Sequence, residues 1–177
     1  MIDKPTLRAT LRAARDRTPE GTILVPAVFV DRLAAGMIVA GYVPIGSEAD
    51  PAPLLRAAAA AGCAIALPHI VDRSTPLRFL AWCEGDPLVP GPFGLSQPDT
   101  TAAEVVPDIV LTPLVGFDRR GNRLGQGAGY YDRAFACHPR AWRVGVALAV
   151  QEVDSVPTDA WDVPLHAIVN EQEWITP

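Results

Sequence analysis

Apolar residues along the chain follow two patterns, and the first is the three-to-four-residue spacing of amphipathic helices. Leu7, Leu11 and Ala14 share one face of a helix predicted over residues 4–16, and Asp3 is in position to cap it. The same kind of pattern predicts helices near residues 22–35, from Pro51 to a stop at Gly62, and near residues 128–137.

The second pattern is an unbroken apolar run, which is typical of a strand buried on both faces. Such runs predict strands at residues 37–43, just before Pro68, and at residues 108–117, 142–150 and 166–169, with a weaker one at 76–83. Strand, helix and strand follow one another from residue 37 to Pro68, as in a parallel βαβ unit. We therefore predict one α/β domain over residues 1–177, with an open, mostly parallel sheet flanked by helices and a ligand cleft at the carboxyl ends of the strands.

Composition and charge narrow the possible partners. With 49% hydrophobic and 20% charged residues, the chain is neither disordered nor fibrous. The net charge of −5 argues against nucleic acid, and the apolar runs are shorter than the roughly 20 residues that span a bilayer. Three scattered cysteines and a charged N-terminus indicate neither a disulfide framework nor a secretory signal. We expect a cytoplasmic monomer that binds small molecules and no membrane.

Residues 84–107 form a proline- and glycine-rich connection between two predicted strands. It is longer than an ordinary connection within a compact domain, and long loops of this kind are often binding loops. We therefore predict that it contributes to function.

The segment RLGQGAGYYDR, residues 123–133, carries three glycines between a predicted strand and a predicted helix. Loop backbone and helix N-termini at this place in an α/β sheet direct N–H groups toward anions. Gly125, Gly127 and Gly129 can adopt backbone conformations closed to other residues. The segment is neither a Walker A motif nor a full G-x-G-x-x-G, because Tyr130 replaces the third glycine. The glycines alone fit either a phosphate cradle or a structural turn.

The neighbouring side chains favour a phosphate ligand. Arg123 and Arg133 place positive charge on both sides of the loop, and Asp132 offers the hard oxygen that Mg²⁺ prefers. Tyr130 and Tyr131 add flat faces for an aromatic ligand. Together they indicate a nucleotide acting on an aromatic substrate.

The longer segment GFDRRGNRLGQGAGYYDR, preceded by DIVLTPLV, resembles the signature of the 5-formyltetrahydrofolate cyclo-ligases, also called 5,10-methenyltetrahydrofolate synthetases. Further blocks that resemble the family are KPTLR, YVPIGSEADPAPLL, ALPHI, FGLSQP and VQEVDSVPTDAWDVPLHAIVNE. The resemblance implies an enzyme that uses ATP as co-substrate, with Mg²⁺, to close the 5-formyl group of a reduced folate into the methenyl bridge, releasing ADP and phosphate.

The resemblance also implies roles for individual residues. It implies ATP binding by Lys4, Pro5, Thr6, Leu7, Arg8, Arg123, Leu124, Gly125, Gln126, Gly127, Ala128, Gly129, Tyr130 and Tyr131. It implies folate binding by Val43, Glu48, Gln126, Gly127, Ala128, Gly129 and Tyr130. Magnesium ligands are then Asp132 and Asp162, and the catalytic residues are Arg123, Tyr130 and Asp132.

Four positions depart from the family pattern, and one of them is Asn170, which stands where threonine is frequent. Gln97 stands where glutamate is usual before proline, Gln126 replaces tyrosine, arginine or methionine, and Ala128 replaces glycine or lysine. A methyl group at position 128 would cost on the order of 1 kcal/mol if φ were positive there. These departures leave open an alternative function, that of a non-catalytic or regulatory homologue that binds folate or nucleotide.

Overall fold

Strands and helices alternate along the chain in the order predicted for a parallel sheet. The computed structural model describes residues 3–19 and 21–177. The helices are α1 (Lys4–Asp16), α2 (Ala27–Val30), α3 (Ala52–Ala60) and α4 (Tyr130–Cys137). The strands are β1 (Ile38–Ala40), β2 (Ala64–His69), β3 (Arg78–Ala81), β4 (Val89–Pro90), β5 (Ser96–Gln97), β6 (Ile109–Pro113), β7 (Gly116–Phe117), β8 (Arg123–Leu124), β9 (Trp142–Val146), β10 (Ala167–Val169) and β11 (Trp174–Ile175).

The central sheet has seven strands in the order β11-β10-β9-β6-β1-β2-β3. The inner strands pair in parallel, whereas β3 and β11 pair antiparallel at the two edges. The five inner strands lie in the order β2-β1-β6-β9-β10. The chain begins at β1, adds β2 on one side and then adds β6, β9 and β10 on the other side. The direction of winding therefore reverses between β1 and β6. Ligands of doubly wound sheets bind at this reversal, beyond the carboxyl ends of the strands. The predicted fold, a mostly parallel sheet flanked by helices, is confirmed.

The core lies on both faces of the sheet because successive strand residues point to opposite sides. Val39 faces a core that contains Phe29 of α2 and Leu54 of α3. The next residue, Ala40, faces a second core that contains Phe135 of α4. The helices thereby cover the sheet and leave the carboxyl ends of its inner strands open to a ligand.

The predicted bounds of several elements are wrong. The helix predicted over residues 22–35 shrinks to Ala27–Val30, because Pro26 occupies its N-cap in an extended conformation and the preceding residues have no regular secondary structure. Ile23 and Phe29 still bury their side chains, so burial alone explains the apolar spacing. The run at 142–150 is a strand only to Val146 and ends in a 3-10 turn at Ala149–Gln151.

Two further predicted strands are shorter or divided. The run at 37–43 is a strand only over Ile38–Ala40, and the run at 108–117 separates into β6 and β7. The edge strand β11 and the hairpin strands β4, β5 and β8 are not predicted, because two residues are too few for a periodic pattern.

The long loop at 84–107 contains the β4–β5 hairpin and a 3-10 turn at Pro92–Gly94. Gln97 fastens this loop to the end of β2. Its side-chain oxygen accepts a hydrogen bond of 2.9 Å from the Ile70 N–H, and its amide nitrogen donates one of 3.2 Å to the Ile70 carbonyl. Phe93, at the tip, is the one non-glycine residue of the described chain with positive φ, at 61°.

Within the described residues, no helix has the length and apolar character needed to cross a membrane.

Candidate active site

A cavity of about 670 Å³ opens at the carboxyl ends of the inner strands. Val43 follows β1, Ile70 follows β2 and Pro113 ends β6, and all three residues line it. Its volume lies within the range of pockets that enclose a ligand of several hundred daltons. The cleft lies at the edge of the sheet where the sequence predicts it.

The glycine loop, residues 125–129, forms one wall of this cavity. Gly127 has a φ of 108° and Gly129 a φ of 68°, so both residues adopt the left-handed conformation that favours glycine. Gly125 has no positive φ, and an added Cβ there would lie 3.5 Å from an Arg123 nitrogen, which is ordinary contact. The special conformation of the loop is therefore concentrated at Gly127 and Gly129.

Helix α1 places two cations against the glycine loop. Lys4 and Arg8 lie one helical turn apart, share a face and line the cavity. The Arg8 Nε donates a hydrogen bond of 2.8 Å to the Gly125 carbonyl, and its guanidinium lies close to Gly127. This arrangement couples the helix to the loop and brings positive charge to the position predicted for phosphate.

The residues between these two cations lie outside the cavity lining. The family resemblance implies ATP contacts for Pro5, Thr6 and Leu7, but α1 turns only one face to the cavity. Leu7 is buried in a small core with Leu124, and the Thr6 N–H is bonded to the Asp3 side chain that caps the helix. These three residues therefore shape α1 rather than the cavity surface.

Arg123 is the most enclosed cation of the site. Its side chain is 6% exposed, it lines the cavity, and its Nε has no hydrogen-bond partner in the described structure. Burial lowers the pKa of Arg123, while the charges of Asp132 and Asp162 oppose that shift. Arginine nevertheless stays protonated, because its ordinary pKa lies above about 12. A buried cation with an unsatisfied donor beside a cavity suits an anionic ligand.

Asp132 and Asp162 reach the same cavity from distant parts of the chain. Asp132 Oδ1 accepts hydrogen bonds from Arg123 and from the Val163 N–H, and Asp162 Oδ2 accepts them from Lys4 and the Asp159 N–H. Burial would raise the pKa of Asp162, but its hydrogen bonds with Lys4 and Asp159 lower it below the ordinary value.

The two carboxylates have the chemistry to hold a magnesium ion whose other ligands are water and phosphate. Within the described residues, the second oxygen of each carboxylate takes part in no hydrogen bond. The described chain contains no group of three or more histidine, cysteine or acidic side chains arranged to hold a metal. Mg²⁺ commonly uses one or two carboxylates and completes its shell with water and substrate phosphates.

Glu48 lies in the loop after β1 and is connected to the glycine loop. Its carboxylate accepts a hydrogen bond of 3.1 Å from the Ile45 N–H and one of 3.0 Å from the Gln126 side chain. Gln126 in turn accepts a hydrogen bond from Arg12 of α1. Burial, followed by the charge of Glu48, raises the pKa of Tyr131, so this phenol stays protonated.

Most of the predicted site residues come together in this cavity. Those that line it are Lys4, Arg8, Val43, Glu48, Arg123, Leu124, Gly125, Gln126, Gly127, Ala128, Gly129, Tyr130, Tyr131, Asp132 and Asp162. Sequence reasoning missed Arg73, Phe93, Asp159 and Trp161, which also line it. The functional loop predicted at 84–107 contains Phe93, whereas no sequence pattern identified Arg73.

The departures at positions 97, 126 and 128 do not obstruct the cavity. Gln97 lies outside the lining and bonds both backbone groups of Ile70, whereas a carboxylate could not donate to the carbonyl. Ala128 does not have a positive φ, so its methyl group causes no left-handed strain. Gln126 bonds Glu48. The observations that favoured a non-catalytic homologue thus have structural explanations.

Comparison with known proteins gives a consistent family. A model described as the 5-formyltetrahydrofolate cyclo-ligase family matches residues 1–171. The chain is 34% identical over 146 residues to the 5-formyltetrahydrofolate cyclo-ligase of Escherichia coli K12, covering 77% of this chain and 80% of that protein. It is 40% identical over 103 residues to the Haemophilus influenzae protein of the same name, an alignment that spans about half of each chain, 52% and 53%.

Solved structures agree on the fold. The NMR structure of Aquifex aeolicus 5,10-methenyltetrahydrofolate synthetase superposes with a TM-score of 0.75 at 26% identity, covering 98% of this chain and 92% of that one. The 5,10-methenyltetrahydrofolate synthetase of Mycoplasma pneumoniae has a TM-score of 0.69 at 20% identity, with coverage of 97% and 100%, and supports the fold.

Proposed function

The chain belongs to the 5-formyltetrahydrofolate cyclo-ligase family, and from that premise we propose that it closes 5-formyltetrahydrofolate to 5,10-methenyltetrahydrofolate with ATP and Mg²⁺, releasing ADP and phosphate. The observation that carries the proposal is one cavity lined by the cationic glycine loop, a pair of acidic residues and Glu48. These groups offer separate contacts for two ligands whose reacting groups meet in the cavity.

The phosphates are assigned to the region between α1 and the glycine loop. Lys4, Arg8 and Arg123 supply positive charge there, and Gly127 lets the backbone approach the ligand closely. Phosphoryl transfer depends mainly on positioning and charge neutralisation, which these groups can provide. Arg123 is the strongest candidate for stabilising the transferred phosphoryl group, because its buried Nε lacks a partner among the described residues.

Asp132 and Asp162 are assigned to Mg²⁺, each through the oxygen that has no hydrogen bond in the described structure. A bound magnesium ion would neutralise negative charge on the phosphate oxygens. Lys4 forms ion pairs with Asp159 at 2.5 Å and with Asp162 at 2.7 Å. The segment 159–162, called the acidic segment below, is thereby anchored to α1.

The adenine ring is assigned to Trp161, on the same acidic segment. Its side chain is 71% exposed and lines the cavity one residue from Asp162, close to the residues assigned to phosphate and metal. A large aromatic side chain is usually buried, and an exposed indole in a cavity offers a stacking face. The segment follows β9, which fixes the nucleotide at that side of the sheet.

The folate ring is assigned to the neighbouring region beside Glu48 and Val43, after β1. Glu48 can accept hydrogen bonds from pterin N–H groups in place of the one that it now accepts from Gln126. Because β1 and β6 are adjacent in the sheet, the loop after β1 brings Glu48 into contact with Gln126 of the glycine loop at the cavity surface. The 5-formyl group would thus lie near the terminal phosphate of ATP.

The proposed reaction has two steps with balanced bonds. The formyl oxygen attacks the γ-phosphorus, its O–P bond forms, and the bond to the β-phosphate oxygen breaks to release ADP. N10 then bonds to the activated formyl carbon and loses its proton, and phosphate leaves with the former formyl oxygen. Activation is needed because a formamide carbon is a poor electrophile, and no side-chain nucleophile takes part.

Isotope transfer tests this sequence of bonds. The substrate is prepared with ¹⁸O in its formyl group and incubated with Mg²⁺ and ATP, and the released phosphate is examined by mass spectrometry. We expect one ¹⁸O atom in each phosphate. Unlabelled phosphate formed together with methenyl product would contradict direct attack by the formyl oxygen.

A further inference from the structure

Arg73 is a cation at the side of the cavity opposite to the proposed nucleotide region. It lies in the connection between β2 and β3, whereas Trp161 and Asp162 lie beyond β9. The order β2-β1-β6-β9 places two strands between these connections. Lys4, Arg8 and Arg123 cluster around the phosphate region, so the charge of Arg73 serves a different part of the cavity.

The backbone around Arg73 is fixed to the start of α4. Tyr130 donates its hydroxyl to the Asp72 carbonyl at 3.0 Å, and Arg133 donates to the Arg73 carbonyl at 3.2 Å. Asp72 also accepts hydrogen bonds of 2.7 Å and 2.8 Å from the N–H groups of the two residues after Arg73. The turn is therefore held at the cavity edge by the same helix that follows the glycine loop.

The Arg73 side chain lies against an aromatic pair. Its guanidinium carbon is 5.2 Å from the centroid of the Phe93 ring, and that ring is 6.5 Å from the ring of Tyr130. Phe93 is 54% exposed and has positive φ, which is costly for a non-glycine residue. Within the described residues, the Arg73 guanidinium forms no ion pair and donates no hydrogen bond. Five N–H donors are thus available to a ligand.

The sequence of chemical groups along a folate fits this arrangement. Beyond the pterin, the molecule continues as an aminobenzoyl ring and ends in a glutamate that carries two carboxylates. We infer that the aminobenzoyl ring packs on Phe93 and Tyr130, and that Arg73 binds a glutamate carboxylate. The inference rests on the proposed function, since it names the residue that recognises the anionic end of the same substrate.

A pair of folates that differ only in charge tests the inference. Binding of 5-formyltetrahydrofolate, and of its analogue with both glutamate carboxyl groups converted to carboxamides, is measured by titration calorimetry without ATP. Arg73→Gln should weaken binding of the charged folate about tenfold, the order expected of one charge-assisted contact. Its effect on the diamide should be less than about twofold. Arg73→Lys should restore part of the loss.

Arg140→Gln is the matched control, because Arg140 is exposed and lies outside the cavity lining while the charge change is the same. It should leave both affinities unchanged. Equal losses for the two folates in Arg73→Gln would overturn the inference, as would a loss of ATP affinity with folate binding intact. Turnover of the wild-type protein is recorded separately. If the wild-type protein formed no product but Arg73→Gln still weakened binding of the charged folate alone, the proposed reaction would be refuted. The contact between Arg73 and the carboxylate would be supported in that case.

Discussion

Arg123 and Asp132 form an ion pair of 2.5 Å across the glycine loop, with Arg123 in β8 and Asp132 in the first turn of α4. The same carboxylate oxygen accepts a hydrogen bond of 3.1 Å from the N–H of Val163, the residue after Asp162. One carboxylate thus positions the buried cation, the helix start and the segment that carries the second acidic residue. Asp132 therefore affects the site both as a charge and as a structural contact.

Asp132→Asn keeps the size of this side chain and removes its charge. We expect kcat to fall at least about 100-fold, or roughly 2.7 kcal/mol of barrier, and the Mg²⁺ concentration for half-maximal rate to rise. Steady-state rates over a magnesium titration measure both effects. The exposed Asp31→Asn, outside the cavity, controls for net charge and should leave both unchanged. An Asp132→Asn protein with wild-type magnesium dependence would refute the ligand assignment.

We expect methyl groups added at different glycines of the loop to weaken ATP binding to different extents. Gly127→Ala introduces a Cβ at a φ of 108° beside the Arg8 guanidinium, so ATP affinity should fall, and Gly127→Val should abolish binding. Gly125→Ala meets only ordinary contact and should have a smaller effect. Ala128→Gly should change turnover less than about fivefold, near 1 kcal/mol.

Equilibrium binding of ATP to these variants separates the positions, and thermal unfolding controls for a general loss of stability. If Gly127→Val bound ATP as tightly as the wild type, the loop could not be a phosphate cradle. Equal losses for Gly125→Ala and Gly127→Ala would show that backbone conformation does not set the response.

Trp161 should recognise the base of ATP and not its phosphates. Trp161→Ala should weaken ATP binding about tenfold, because one stacked base contributes roughly 1–3 kcal/mol, whereas binding of inorganic tripolyphosphate should be unchanged. Trp161→Phe should retain most of the affinity. Competition titrations with the two ligands measure the difference, and Trp174→Phe provides a tryptophan control outside the cavity. Parallel losses for ATP and tripolyphosphate would contradict stacking.

Asp118 links the acid stability of the protein to the hairpin before the glycine loop. Its buried carboxylate accepts hydrogen bonds from the N–H groups of Arg120, Asn122 and Val156. Burial would raise the pKa of Asp118, but these donors lower it below the ordinary value. The stabilisation is therefore present above the unfolded pKa of about 3.9 and is lost as pH falls through the lower folded pKa.

Asp118→Asn should consequently lower the free energy of unfolding by about 1–3 kcal/mol at pH 7. Urea unfolding of both proteins between pH 7 and pH 3 should show the difference shrinking toward acid. A difference that stayed constant across this range would mean that the carboxylate charge contributes nothing.

Local pattern was sufficient to predict the parallel sheet and the glycine loop. Buried strands have a continuous apolar composition, and the position of Gly127 between a strand and a helix is visible in the chain itself. The helix predicted at 22–35 failed for a physical reason. Ile23 and Phe29 are buried in the same core, Ile23 from a segment without regular secondary structure and Phe29 from the short helix α2, so their spacing does not require one continuous helix.

The edge of the site depends on contacts between distant loops and could not be predicted in the same way. Arg73 gains its position from Tyr130 and Arg133, which lie 58 and 60 residues from the groups that they bond. Gln97 takes Ile70 as its partner only after β5 has approached the end of β2. Neither contact has a periodic signal, so only the folded arrangement reveals it.

The most direct test of the proposed function is formation of methenyl product by the purified protein. The protein is incubated with 5-formyltetrahydrofolate, Mg²⁺ and ATP, and the absorbance of 5,10-methenyltetrahydrofolate is followed together with phosphate release. We expect one phosphate for each methenyl group formed, and no product when ATP or Mg²⁺ is omitted. Tight binding of both ligands without methenyl formation would contradict it and identify a binding protein instead of a cyclo-ligase.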